Sequence, residues 1–442
     1  MRQHLQRSKR TLLSLAAWRV RVTLWGGALL VGLAATFFAE ASEYASHLFN
    51  ALLSFSRYLP LIVTPLGLIA VAWLTLKLFP GAQGSGIPQT LAALDSATAE
   101  GVRARVLTLR IAAGKILLTF VGLLSGASIG REGPSVHVGA ALMYSIGQRM
   151  RFSPHYMERA LILSGGAAGI AAAFNTPLAG IVFAIEEMGR SFEERTNGVM
   201  LTGVILAGIT SLAVLGNYNY FGTTDAHLDS FSDWVVIPVC GVVGGIVGGL
   251  FSQLLIVASR YLAPITRAKP LHVAGTCGFV VALLGVLSGN LSYGTGYAEA
   301  NTIVTSGAVP DPLYPLYKFL ATVASYLSGI PGGIFAPTLA TGAGLGADLA
   351  SWFPSVSVAA ITILGMVGYF TGVVQTPITA FVIVMEMTDN HTMLLPLMAT
   401  AFIASTVSKL ICPEPIYRAL ARNFLTPRSD SEANAAPHQA VK

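Results

Sequence analysis

One block of this chain is written twice, and each copy interrupts an apolar run with glycine and proline. Lys115-Ile-Leu-Leu-Thr-Phe-Val-Gly-Leu-Leu-Ser-Gly-Ala-Ser-Ile-Gly-Arg-Glu-Gly-Pro134 aligns without a gap on Lys318-Phe-Leu-Ala-Thr-Val-Ala-Ser-Tyr-Leu-Ser-Gly-Ile-Pro-Gly-Gly-Ile-Phe-Ala-Pro337, at a constant offset of 203 (115 to 318, 134 to 337). Lys, Thr, Leu-Ser-Gly, Gly and Pro coincide; Gly139-Ala140 falls on Gly342-Ala343, and Glu132 falls on Phe335. A second pair follows at offset 200, where Asn175-Thr-Pro-Leu-Ala-Gly-Ile-Val-Phe-Ala-Ile-Glu186 lies over Gln375-Thr-Pro-Ile-Thr-Ala-Phe-Val-Ile-Val-Met-Glu386. Two matches at nearly one offset describe a duplicated unit of roughly 200 residues. Paired, interrupted hydrophobic segments in two halves of a chain are the sequence mark of a transporter's binding site.

The apolar runs decide the solvent. Only 11% of the 442 residues are charged and 53% are hydrophobic, with a mean hydropathy of +0.65, whereas a soluble domain carries about 25% charged residues. Runs such as Trp234–Val257 and Val358–Met385 exceed the ~20 residues that span a bilayer as a helix. They lack the alternation of a barrel strand, so helices are expected. The 46 glycines suit close helix packing in lipid. Arg2, Arg7, Lys9, Arg10, Arg19 and Arg21 precede the first apolar run, which assigns a cytoplasmic N-terminus. This short arm is no folded basic face for nucleic acid. Cys240, Cys277 and Cys412 are far apart in apolar surroundings and read as core residues, with no metal site or disulfide framework.

In order, residues 1–22 read as a basic cytoplasmic segment, 23–216 as a first membrane half, 217–233 as a connecting loop, 234–425 as a second membrane half and 426–442 as a disordered cytoplasmic tail. The first span is expected over Thr23–Phe38, before a polar patch, Glu40–Asn50. Gly81-Ala-Gln-Gly-Ser-Gly-Ile-Pro88 is a loop too rich in glycine for a helix, with Ser85 as its polar side chain. Ala160–Ile185 is apolar and ends in Glu186-Glu187. Adjacent helical side chains point about 100° apart, so one of these carboxylates pairs structurally while the other faces a water-accessible space. Pro413-Glu-Pro-Ile-Tyr417 is a turn into a short polar helix.

No His-Glu-x-x-His, Walker loop or Cys-x-x-Cys occurs, and no enzyme, cofactor or metal is called for. The pieces suit an anion path instead. Gly130-Arg131-Glu132-Gly133-Pro134 closes one apolar run and opens the next. Pro134 suits the first turn of the new helix, whose free N–H groups and dipole attract an anion. Backbone N–H groups with the hydroxyls of Ser85 and Tyr417 would hold an anion weakly enough to release it. Glu132 is then a tethered anion: ionised it competes for the site, protonated it leaves.

Gly84-Ser85-Gly86-Ile87-Pro88, Gly130-Arg131-Glu132-Gly133-Pro134, Gly333-Ile334-Phe335-Ala336-Pro337, Phe174-Asn-Thr-Pro-Leu-Ala-Gly180, Glu186-Glu187, Met385-Glu-Met-Thr-Asp-Asn390 and Tyr417 stand in this order. The set resembles the signature of the CLC family of chloride channels and chloride/proton exchangers, over about residues 20–425. The resemblance implies an all-α polytopic membrane protein of two inverted-topology halves with about eighteen tilted and broken helices, no C-terminal regulatory domain, both termini cytoplasmic, and a homodimer with one pathway per subunit. In a bacterium it would sit in the cytoplasmic membrane. It implies that Ser85, Tyr417 and the N–H groups of Ile334 and Phe335 bind the anion. It also implies that Glu132 is the external gate and Glu187 the internal proton-transfer group.

The function implied is a proton-coupled chloride antiporter, with chloride, protons and membrane lipid as partners and no nucleic acid. A passive chloride channel on the same fold is the alternative, and fluoride or nitrate exchange a further one. Glu187 favours exchange. In one respect the chain departs from many bacterial members: Gln89 and Leu91 stand where those carry glutamate, so Arg131 needs another partner.

Overall fold

The structure, a computed structural model, describes residues 15–95, 99–150, 155–189, 194–216, 219–308 and 311–425. Most of the basic N-terminal segment and the whole tail 426–442 lie outside the described residues. Among the described residues, eighteen α-helices follow one another. The first group is α1 Leu15–Phe55, α2 Pro60–Lys77, α3 Ile87–Leu94, α4 Ala99–Val106, α5 Leu109–Leu124, α6 Glu132–Arg149, α7 His155–Phe174, α8 Pro177–Phe183 and α9 Glu194–Leu215. The second is α10 Val236–Ala268, α11 Pro270–Leu287, α12 Tyr297–Ser306, α13 Tyr314–Leu327, α14 Phe335–Ala350, α15 Val358–Val374, α16 Pro377–Thr388, α17 Leu394–Ile411 and α18 Ile416–Leu425. Among the described residues, seven helices are long and apolar enough to cross a bilayer. Leucine, isoleucine and phenylalanine side chains stand exposed on α1, α2, α9, α10 and α11, as expected of faces turned to lipid.

Two expectations are corrected. The first helix does not stop at Phe38 but runs unbroken through the polar patch to Phe55. Residues 40–50 contain no glycine or proline to end it. Glu40, Glu43 and His47, at helical spacing, share one face, while Ala45 and Phe49 on the other are buried. The apolar blocks 160–185 and 358–385 are also not single helices. Each breaks at the same place in its repeat. Asn175 and Gln375 adopt left-handed φ of 56° and 60°, and the threonine after each is non-helical because proline follows it.

The helix packing repeats with the sequence. Glycines let backbones touch where α6 meets α7: a methyl on Gly139 would lie 2.1 Å from the Gly165 carbonyl oxygen. The equivalent pair in the second half is α14 against α15, where a methyl on Gly342 would lie 2.8 Å from the Met366 Cα. Such contacts replace the hydrophobic drive that helices lack in lipid.

The relative direction of the halves is read from two carboxylates. Glu186, past the end of α8, accepts hydrogen bonds from the N–H groups of Ile378 and Thr379 (3.1 and 2.7 Å) and from the Thr379 hydroxyl (2.8 Å), capping the start of α16. Glu386, near the end of α16, accepts from the N–H groups of Leu178 and Ala179 at 3.1 and 2.7 Å, capping the start of α8. Each helix caps the N-terminus of the other, so α8 and α16 run antiparallel and the repeats are inverted. Reciprocal contacts of this kind are what a two-fold axis requires. Glu186→Ala strips three hydrogen bonds from α16. It is expected to cost about 1–3 kcal/mol, read as a lowered unfolding temperature in detergent, with Glu186→Gln intermediate.

Candidate functional site

The site forms where the broken starts of α3, α6 and α14 meet the start of α18. Two short backbone pairings hold the starts together. The Gly130 N–H donates to the Gly333 carbonyl at 2.7 Å and the Gly333 N–H returns the bond at 2.8 Å. Gly84 accepts from the Gly332 N–H at 3.2 Å and donates to the Ile330 carbonyl at 3.1 Å. The loops leading into α6 and α14 are thus zipped to each other, and the loop leading into α3 is tied to the second. The N-cap residues of α3, α6 and α14, Gly86, Arg131 and Ile334, give no side-chain cap, so these helices keep backbone donors for another acceptor.

Glu132 opens α6 and is fully buried. Its Oε2 accepts from the Ala336 N–H at 3.4 Å, so the carboxylate lies on the start of α14, in the place a helix dipole offers an anion. Its Oε1 is buried with no hydrogen-bond partner. Ser85, also fully buried, rests against Gly133, where a methyl would come within 2.1 Å of the Ser85 Oγ. The hydroxyls of Ser85 and Tyr417 are both buried without a protein partner. Tyr417 reaches the site because α18 packs on α3, and its hydroxyl is within electrostatic reach of Glu132, Tyr326 and Glu187. Ile334 and Phe335 are both about 1% exposed. The Phe335 ring is wedged against Phe370, Phe174 and Phe183, at centroid separations of 4.4, 5.7 and 6.3 Å.

Gly84, Gly86, Pro88, Gly130, Gly133, Pro134, Gly333 and Pro337 line these helix starts as the sequence suggested. Gly86 is indispensable on two counts. Its φ is 105°, and a methyl there would lie 2.7 Å from the His137 Cβ and 2.9 Å from the Gly133 carbonyl oxygen.

Glu187 is not on any of the helix starts that form this junction but on the π-helical turn Ala184–Gly189 that continues α8. It is 3% exposed. The sequence offered no sign of the wider turn, although such turns gather at functional sites. Glu186 is the carboxylate that pairs structurally.

Two lysines were legible only as repeat markers. The Lys115 ammonium donates to the Gly84 carbonyl at 2.9 Å, steadying the residue before Ser85. Lys318 does the same for its own half, donating to the carbonyls of Ser292, Tyr293 and Gly294 at 3.1, 2.9 and 2.8 Å. The signal available was that lysine occupies the same place in both copies. His137 is structural, with its Nε2 at 2.9 Å from the Val106 carbonyl. Arg131 has the Ala173 carbonyl at 3.5 Å and the Tyr220 ring beneath its guanidinium at 5.8 Å. Gln89 donates instead to the carbonyls of Gly81 and Gln83, and Leu91 packs against the core.

Inverted repeats, broken helices whose starts meet and a buried carboxylate at their junction define a polytopic transport protein. A family model described as voltage gated chloride channel matches residues 66–409. The chain is 33% identical over 405 residues to the H(+)/Cl(-) exchange transporter ClcA of Yersinia pestis bv. Antiqua (strain Angola), covering 84% of this chain and 81% of that one. The protein therefore belongs to the CLC family of voltage gated chloride channels and H+/Cl− exchangers. Among solved structures, a slow cyanobacterial Cl−/H+ antiporter superposes with a TM-score of 0.79 at 26% identity, covering 92% of this chain and 98% of that one. A CLC-type fluoride/proton antiporter superposes with a TM-score of 0.77 at 25% identity, covering 92% and 99%.

Proposed function

We propose that the protein exchanges chloride for protons across a membrane. The observation that carries this reading is the junction of helix starts. Three buried oxygens, of Ser85, Tyr417 and Glu132, lack a full set of protein partners there, at helix starts whose own N-cap residues give no side-chain cap. Leaving a buried polar group unpaired costs about 1–3 kcal/mol, so such a cluster is retained where a ligand or a moving group completes it. Hydroxyls and N–H groups suit a small anion held without a full countercharge. The site residues are Ser85, Tyr417 and the N–H groups of Ile334 and Phe335 for the anion. Glu132 is the gate that competes with it. The H(+)/Cl(-) exchange of the Yersinia relative and of the cyanobacterial antiporter supports chloride and protons as the pair exchanged.

Glu187 exchanges protons with the cytoplasmic side and passes them to and from Glu132, which exchanges them with the outside. The protein works as a homodimer in the cytoplasmic membrane, with both termini in the cytoplasm. Purified protein in liposomes, with a chloride gradient and a pH electrode, tests the whole reading: chloride running down its gradient should drive protons uphill. Chloride flux without proton movement would make it a channel, and no anion flux would overturn both.

The hydroxyl of Tyr417 is tested by Tyr417→Phe, which removes one oxygen and leaves the ring in its packing. One neutral hydrogen bond is worth about 0.5–1.5 kcal/mol. Chloride affinity by calorimetry is expected to fall about two- to tenfold, with transport slowed and not abolished. An unchanged heat of binding would remove Tyr417 from the site.

A further inference from the structure

Arg131 immediately precedes the gate carboxylate and acts on it electrostatically. Its side chain leaves the junction toward a cavity of about 430 Å³ on its other side. That cavity is acidic. Glu40, Glu43 and His47 enter it from α1, and Tyr293, Tyr297 and Glu299 from the segment around the start of α12. These carboxylates would draw a guanidinium away from Glu132. Yet Arg131 is only 8% exposed, with its guanidinium over the Tyr220 ring.

We propose that Tyr220 is a positioning residue for the gate: both Tyr220 and Arg131 line the cavity, and the ring face holds the guanidinium at the cavity wall nearest the gate, short of the carboxylates opposite. An aromatic face attracts a cation without carrying a countercharge, so this contact leaves the positive field at Glu132 intact, where a carboxylate in the same place would cancel it. The ring is well fixed for the task. It is 4% exposed and packs edge-on against Phe174, Phe221 and Tyr297 at 5.2, 4.9 and 4.9 Å. Its loop, which joins the two halves, is pinned to the second. The Phe221 N–H donates to the Met387 carbonyl at 2.9 Å, and the Asn390 amide donates to the carbonyls of Thr224 and Ala226 at 2.9 and 2.8 Å. The segment that joins the repeats thereby reaches the gate.

The proposal rests on Glu132 being the gate. A cation beside a carboxylate opposes its protonation. Without the ring face, the carboxylates of Glu40, Glu43 and Glu299 draw the guanidinium further into the cavity against its remaining contacts, the Ala173 carbonyl among them, and Glu132 protonates more readily. In Tyr220→Leu the pH of half-maximal chloride flux is expected to rise by about one unit, the order a unit charge contributes at ~12 Å through an effective dielectric of about 20. Tyr220→Phe keeps the face and should retain the parent profile, which separates the contact from the phenol oxygen. Both variants are assayed in liposomes, alone and combined with Glu132→Gln. With Glu132→Gln present, Tyr220→Leu should no longer change the pH profile. A parent-like profile in Tyr220→Leu, or a shift equally large in Tyr220→Phe, would overturn the positioning role while leaving the gate standing. A shift that persisted in the Glu132→Gln background would show that Tyr220 acts on some other group. Proton pumping retained in Glu132→Gln alone would instead overturn the gate itself.

Discussion

Glu132→Gln is expected to keep chloride moving, to flatten the pH dependence of that flux, and to end proton movement. Glutamine has the shape of the protonated acid and cannot ionise. The wild-type carboxylate sits on the Ala336 N–H, at a helix start that favours negative charge, so in its ionised form it occupies the position an anion would take. An amide loses that charge and with it the ability to compete. The site then stays open to chloride at every pH, because the carboxylate that competed with the anion is gone. Protons lose their carrier at the same time, since the hydroxyls of Ser85 and Tyr417 cannot release a proton near neutral pH. The measurement is paired chloride and proton flux in liposomes over a range of pH. Proton pumping against a gradient by Glu132→Gln would end the assignment of Glu132 as the gate.

Glu187→Gln is expected to separate the two fluxes in a different way, stopping proton movement while chloride still runs down its gradient with the parent's pH dependence. A proton needs titratable or water relays, whereas chloride needs donors, so the two cannot share one path throughout. Glu187 is not on the helix starts that form the anion junction but on the π-helical turn after α8, while its hydrogen-bonding neighbour Glu186 is committed to capping α16. The chain preceding the two glutamates, Ile181 to Ile185, offers no proton carrier, so transient water is expected to carry the proton on toward Glu132. Glutamine keeps shape and hydrogen bonding and removes only titration. Coupling retained at the parent ratio would show that protons enter elsewhere. Loss of both fluxes together with a lowered melting temperature would assign Glu187 a structural role.

The two glutamates show how far a sequence can go. That each repeat contains a break was legible from glycine and proline alone, since Gly130 and Gly333, or Pro134 and Pro337, recur at one offset. Backbone rules are local, and local rules can be read along the chain. The same holds for the helices and the membrane: eighteen helices and seven spanning-length segments among the described residues follow from apolar runs that no soluble fold could bury. Local rules also produced the errors. The polar patch at Glu40–Asn50 broke the apolar pattern but contained no helix breaker, so α1 continued. The blocks around Asn175 and Gln375 kept the apolar pattern but contained a Thr-Pro pair, so they broke.

What the sequence by itself determined was therefore the solvent, the repeat, the places where helices start and stop, and the residue types present there. Which starts meet was decided only in three dimensions. The pairing of Gly130 with Gly333 joins residues from opposite halves. The antiparallel capping by Glu186 and Glu386, which inverts the second half, joins others. Tyr220 beneath Arg131 belongs to a linker that carries no repeat signal at all. Such contacts depend on how separate helices pack, through glycine faces whose close approach is set by both partners at once. No single stretch of chain contains that information, and so Ser85, Glu132 and Tyr417 could be suspected along the sequence but brought together only by the fold.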